Sequence, residues 1–118
     1  MSSIACEVII PYNSGLTSMP WPPNKIPDWE KAVAFLFGGI SPLAISVVGL
    51  WTKPSPTGST LMPDPQNRYE IAIDHSRVAE LRELIRFTCA HFEQECVYFK
   101  NGVSVEVIDN PLGWPPAP

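Results

Sequence analysis

Charge is scarce in this chain, with 8 Lys and Arg against 12 Asp and Glu in 118 residues and a formal net charge of −4. No run of Lys and Arg gathers anywhere. That excludes the basic stripe a phosphate-tracking nucleic-acid surface needs. Long apolar runs are missing as well: the longest, Pro42 to Trp51, falls well short of the ~20 residues of a membrane helix. The first residues, Met1 to Cys6, lack the basic region and apolar stretch of a signal peptide. There is no GxGxxG, no P-loop and no GxSxG. The cysteines Cys6, Cys89 and Cys96 are odd in number and form no CxxC pair, so they read as buried, reduced thiols. These absences describe a soluble, cytoplasmic protein with neither nucleic acid nor membrane as partner. An acidic balance suits a cationic small molecule better than an anionic one.

Proline, by contrast, is abundant, with 14 residues, 12 of them gathered at 20–27, 54–65 and 111–118. They punctuate loops rather than build one low-complexity tract. The length fits one domain, residues 1–110, followed by a Pro-rich tail, 111–118, expected to be extended. Trp114 in that tail suggests that it lies against a surface, its own or a neighbour's.

Ile4 to Ile10 reads as a strand with Cys6, Val8 and Ile10 on one face and Glu7 on the other. A helix enters at Pro27, carries Trp29, Val33, Leu36 and Phe37 at helical spacing, and stops at Gly38-Gly39. Leu43 to Trp51 suggests a buried strand, and Thr52 to Asn67 an irregular loop. Arg68 to Asp74 alternates, with Ile71 and Ile73 facing one way and Arg68, Glu70 and Ala72 the other. Asp74 can cap a second helix whose apolar positions are Val78, Leu81, Ile85, Thr88 and Phe92. Val97 to Phe99 and Val103 to Ile108 make a hairpin around Asn101-Gly102, a type I′ signal. The order β-α-β-β-α-β-β predicts an α+β, ferredoxin-like sandwich: an antiparallel sheet, two helices on one face and an added C-terminal strand. The other face stays open, and its coverage by a second copy would explain so apolar a chain with so few charges.

On that open face sit Glu70 and Glu7. Isolated strand acids are usually solvated, but a carboxylate covered by another subunit needs a cation as partner. Gln94, where the second helix gives way to strand, can fix a polar ligand or simply bond loose helix-end carbonyls. Trp21, Trp29, Trp51 and Trp114, with Tyr12, Tyr69 beside Glu70, and Tyr98, can offer a cation a π-face, although Trp29 sits in the helix pattern and reads as packing. His91-Phe92-Glu93 matches the HxE half of a zinc deaminase site but lacks the PCxxC half, and the lone His75 makes no metal site either.

The oddest stretch is Cys89-Ala-His-Phe92-Glu93-Gln94-Glu95-Cys96-Val97. Acids at a helix C-terminus oppose the helix dipole, where Gly, Lys or Asn is usual. This run resembles the S-adenosylmethionine lyases of bacteriophages, historically called hydrolases, in which a helix ends in Cys-x-x-aromatic-Glu-Gln-acid-Cys-Val. The resemblance spans Ile71 to Phe99, about a quarter of the chain. It implies a ferredoxin-like homo-oligomer, a trimer favoured, holding S-adenosylmethionine between subunits with no cofactor and no metal. It also implies cleavage to methylthioadenosine and homoserine lactone in the host cytoplasm, blunting restriction by depleting the methyl donor. The family's functional acid falls on Glu70 as the catalytic residue and its amide on Gln94. Tyr69, Trp51, Tyr12 and Glu7 complete the expected substrate-binding set. The alternative is a non-catalytic ferredoxin-like module that binds a small molecule or a partner.

Overall fold

The computed structural model describes residues 3–11, 13–17, 19–43, 47–55 and 58–115, with backbone alone over 47–55 and 58–66. Strand β1 (Ser3–Pro11) leads to helix α1 (Lys25–Phe37) and the short β2 (Ser41–Pro42). Strands β3 (Val47–Ser55) and β4 (Gly58–Asp74) follow, then α2 (Val78–His91), β5 (Cys96–Asn101) and β6 (Ser104–Asp109). All strand pairs are antiparallel, in the order β2-β4-β1-β5-β6, with β3 also on β4. This is the expected ferredoxin-like α+β arrangement. Each helix crosses from one strand to a strand two places away, and β6 is the added edge.

The alternation of β1 produces what the sequence predicts. Cys6, Val8 and Ile10 are fully buried and meet Tyr69, Ile71 and Ile73 of β4 and Val97 and Phe99 of β5 in one core. The helices close it with Trp29, Val33 and Phe37 from α1 and Leu81, Ile85, Thr88 and Cys89 from α2. The Trp29 indole donates to Thr88 Oγ1 at 3.0 Å, which satisfies both buried polar groups and ties the helices together. Leu36, expected in the core, is half exposed, because it lies on the flank of α1 while Phe37 takes the inward position. Gly38 ends α1 in the left-handed conformation (φ 87°), and its N–H bonds back to Ala34 O at 2.9 Å. Asp74 caps as predicted, its Oδ1 accepting from the Ser76 N–H at 2.9 Å, but it opens a single 3-10 turn before α2 begins.

Three expectations are corrected. The region from Thr52 to Asn67 is not an irregular loop but part of a long hairpin, β3 against β4. Prolines there suggest a loop by composition, yet Pro65, Pro63 and Pro54 fall on Val48, Leu50 and Ser59, one alternate set of pairs. A ladder tolerates proline in the set whose N–H points away from the partner strand. The strand expected over Leu43 to Trp51 is instead β3, which spans Val47–Ser55, and the short β2 lies ahead of Leu43. The last hairpin turns at Gly102-Val103, since Asn101 pairs with Ser104. Gly102 has φ +70° and Val103 does not share a positive φ, the type II′ pattern rather than type I′.

Gln66 pairs with Pro11 on one side and Val47 on the other. Beyond it, β3 and β4 continue as a two-stranded ribbon. Residues 111–115 run as turns where an extended tail was expected, and Trp114 comes back against Gly15.

Candidate active site

On the open face of the sheet, the register sets Glu7 opposite Glu70 across β1 and β4, and opposite Lys100 across β1 and β5. Like charges facing each other across a ladder are destabilising. Arg68, two residues before Glu70 on the same face, relieves half of this: its Nη2 donates to Glu7 Oε2 at 2.9 Å. Its buried Nε has no partner among the described residues. Glu70, half-buried, makes no ion pair or side-chain hydrogen bond among the described residues. No described side chain occupies its carboxylate, so a ligand cation can be met there.

Glu70 also lines a cavity of about 290 Å³ with Phe37, Gly38, Gly39, Ile40, Ser41 and Ala72. The chain leaves α1 at Gly38-Gly39 and rises past the sheet edge to β2, so glycines form that wall with open space where side chains would be. Sequence reading found the two glycines as a helix stop and missed them as a wall. No local pattern brings Ser41 opposite Glu70; the β2–β4 register does so.

Gln94 belongs to a different neighbourhood. The end of α2 is a Schellman arrangement: Gln94 N–H bonds to Cys89 O at 3.0 Å and Glu93 N–H to Ala90 O at 3.1 Å. Glu93 occupies the left-handed position (φ 51°) that glycine normally takes. The Gln94 side chain gives its N–H groups to Asn13 O at 3.1 Å and Phe92 O at 2.8 Å. Gly15 N–H bonds to Glu93 O, and Asn110 Nδ2 to Gln94 O, both at 2.9 Å. The acid-rich run that stands out in the sequence is thus a knot joining the loop after β1, the end of α2 and the chain after β6. Within one chain it does not meet Glu70, which sits midway along the ladder opposite Glu7, whereas the knot lies beyond the end of β1.

The remaining expected residues separate in the same way. Glu7 shares the face of Glu70. Tyr69 points through to the helix side, 2% exposed, edge-on to Trp29 at 5.1 Å, so the sheet itself divides it from a ligand at Glu70. Trp51 lies on β3 opposite Met62, its side chain outside the description, and Tyr12 lies outside the described residues. Tyr98, by contrast, is half exposed on the open face.

No cysteine is suited to nucleophilic work. Burial pushes the Cys89 thiol up to about 12, with Cys96 and Asp109 adding to it. Burial likewise raises Cys96 and Cys6, and the reactive thiolate is disfavoured at all three. Burial and the nearby Lys25 push His91 down. Among the described residues no three His, Cys, Asp or Glu side chains gather as metal ligands would, and no helix is long and apolar enough to cross a membrane.

Comparison with protein-family models and with curated proteins gives no match. Among solved structures, the chain is similar to a phage SAM lyase in complex with S-methyl-5'-thioadenosine, at 14% sequence identity and a TM-score of 0.66. The match covers 91% of this chain and 89% of that one. The two share a fold. The likeness takes in nearly all of this chain.

Proposed function

We propose that the protein is an S-adenosylmethionine lyase. The shared fold with the phage SAM lyase carries this reading. The Cys89 to Val97 run and the carboxylate of Glu70, unpartnered among the described residues, support it. In the reaction, the substrate's own carboxylate attacks its γ-carbon. The C–O bond forms as the C–S bond breaks, the bonding pair leaves with sulfur, and neutral methylthioadenosine departs from homoserine lactone. The displacement is internal, so it consumes no water and asks no side chain to act as nucleophile.

The protein's contribution is therefore conformational and electrostatic. Holding the carboxylate against the γ-carbon supplies proximity, worth up to about 7–11 kcal/mol in well-oriented intramolecular reactions. Charge is neutralised as sulfonium becomes thioether, so a site that excludes water favours the transition state over the separated ions. Glu70 binds the substrate ammonium and leaves the substrate carboxylate free to attack. Gln94 has committed its N–H groups to Asn13 and Phe92, so it offers its amide oxygen, an acceptor suited to a ribose hydroxyl. Because Gln94 and Glu70 do not meet in one chain, the complete site forms between copies, with the open sheet face covered in a homo-oligomer.

Purified protein incubated with S-adenosylmethionine, without added metal, tests the proposal by mass spectrometry. The expected products are methylthioadenosine and homoserine lactone over many turnovers. The separation of Gln94 from Glu70 also favours a second reading, a binding module without catalysis. Unchanged substrate at stoichiometric protein, with binding retained, would establish that reading instead.

A further inference from the structure

A second cavity lies on the same sheet face as Glu70. Glu7, Ile9, Tyr98, Phe99, Lys100 and Val105 line its roughly 190 Å³. Its walls are mostly apolar, and the Tyr98 and Val105 side chains on them are 51% and 65% exposed. Exposed apolar surface beside a tyrosine ring suits a planar heterocycle, which can stack there with little loss of hydrogen bonding. The cavity at Glu70 has the opposite character. Its one charged lining residue is a carboxylate without a partner among the described residues, and much of its wall is glycine backbone.

The two cavities lie in one line across the sheet. Val105 is opposite Lys100, Lys100 opposite Glu7, and Glu7 opposite Glu70. Lys100 and Glu70 are thus two strand spacings apart, on the order of 10 Å. Glu7, the residue between them, is held by Arg68, so it does not compete with Glu70 for a cation. A ligand with a flat apolar ring at one end and an ammonium at the other matches this line end for end.

We propose that the open face holds S-adenosylmethionine in a fixed direction, its nucleoside on Tyr98 and Val105 and its amino group at Glu70 and the Gly38-Gly39 turn. This assignment rests on the lyase reading and deepens it. Tyr98 is the residue that selects the nucleoside, and the glycine wall sets the room for the amino-acid end. The acidic end cannot exchange places with the apolar one: a nucleoside at Glu70 would leave the carboxylate unpaired, and an ammonium over Val105 would lie beside Lys100.

Two probes that are not lyase substrates separate the ends: methylthioadenosine has the nucleoside alone, and S-adenosylhomocysteine has both ends but no sulfonium. Backbone amide shifts of the intact wild-type protein are followed by NMR with each. Methylthioadenosine is expected to move residues 98–105 and spare 38–41, whereas S-adenosylhomocysteine moves both groups. Tyr98→Ala weakens both probes about tenfold, and Glu70→Gln weakens S-adenosylhomocysteine alone by a similar factor. The same residues moving with both probes, or no movement at 98–105 with either, would overturn the assignment. Turnover of S-adenosylmethionine by the wild type, measured separately, then decides whether the lyase reading survives without it.

Discussion

Glu7 and Glu70 face each other across the β1–β4 ladder, and among the described residues Arg68 pairs with Glu7 at 2.9 Å and not with Glu70. Two carboxylates at opposed positions repel, and one neighbouring guanidinium satisfies only one of them. Among the described residues Glu70 has no such partner, which is why, in the proposed function, the ligand's ammonium binds there. Replacing it by Gln removes the charge and keeps the shape. Turnover of S-adenosylmethionine is expected to fall by about 100-fold or more. The unfolding midpoint should hold or rise slightly, since an opposed like-charge pair costs ~0.2–1 kcal/mol. Activity assays beside urea unfolding check both; full activity in Glu70→Gln would remove the residue from the site.

Gly15 reports on the knot at the end of α2. A Cβ there would lie 2.5 Å from Glu93 O and 3.1 Å from Trp114 Cη2, and a backbone oxygen held by its own turn cannot easily yield. Gly15→Ala is expected to destabilise the protein by ~1–3 kcal/mol, the range for overpacking. It should also free the loop after β1 from α2, seen as faster amide exchange at Gly15. An unchanged urea midpoint would mean that the loop is not seated there.

The fold was legible where local pattern and tertiary structure agree. Cys6, Val8 and Ile10 alternate because one face of β1 is core. Arg68 and Glu70 share a face because strand periodicity leaves no other choice. Asp74 capped a turn because its side chain reaches an N–H two residues on. The failures have the opposite cause. Pro54, Pro63 and Pro65 hide a hairpin because the register that makes them harmless is set by a partner strand, not by their own sequence. Glu70 was readable as an open-face acid, but its cavity depends on where α1 ends and β2 returns. Gln94 is bound to a carbonyl 81 positions away in the chain, which no local spacing foretells.

Arg82 and Glu106 give a pH dependence of known sign. The guanidinium of α2 reaches over β6 and bonds both Glu106 oxygens, at 2.8 and 2.9 Å, with Asn101 as a further donor. Hydrogen bonding by Arg82 holds the Glu106 carboxyl below its ordinary range, with Asn101 adding to it. A carboxylate depressed in the folded state adds stability above its unfolded pKa, and loses it as pH falls through the folded value. Wild type should therefore exceed Glu106→Gln in stability near neutral pH, with the gap closing in acid below about pH 4. The pair is substantially exposed, so the gap should stay under ~1 kcal/mol. Urea midpoints of both proteins across that pH range measure it; a gap that widens in acid would contradict the pairing.

Glu93 offers the opposite kind of change, a substitution that should stabilise. It holds φ 51° at the position after the α2 cap, where its Cβ crowds the following carbonyl. The neighbouring bonds, Gln94 N–H to Cys89 O and Glu93 N–H to Ala90 O, are backbone bonds that glycine preserves. The Glu93 carboxylate also sits at the negative end of the helix dipole, so its removal costs nothing there. Glycine carries a larger entropy cost in the unfolded chain, but at a left-handed position the steric relief outweighs it. Glu93→Gly is expected to raise stability by ~1 kcal/mol in urea unfolding. A fall in stability would mean that the carboxylate holds something, and in an assembly covering the open end of the knot that partner would be a cation on a second copy.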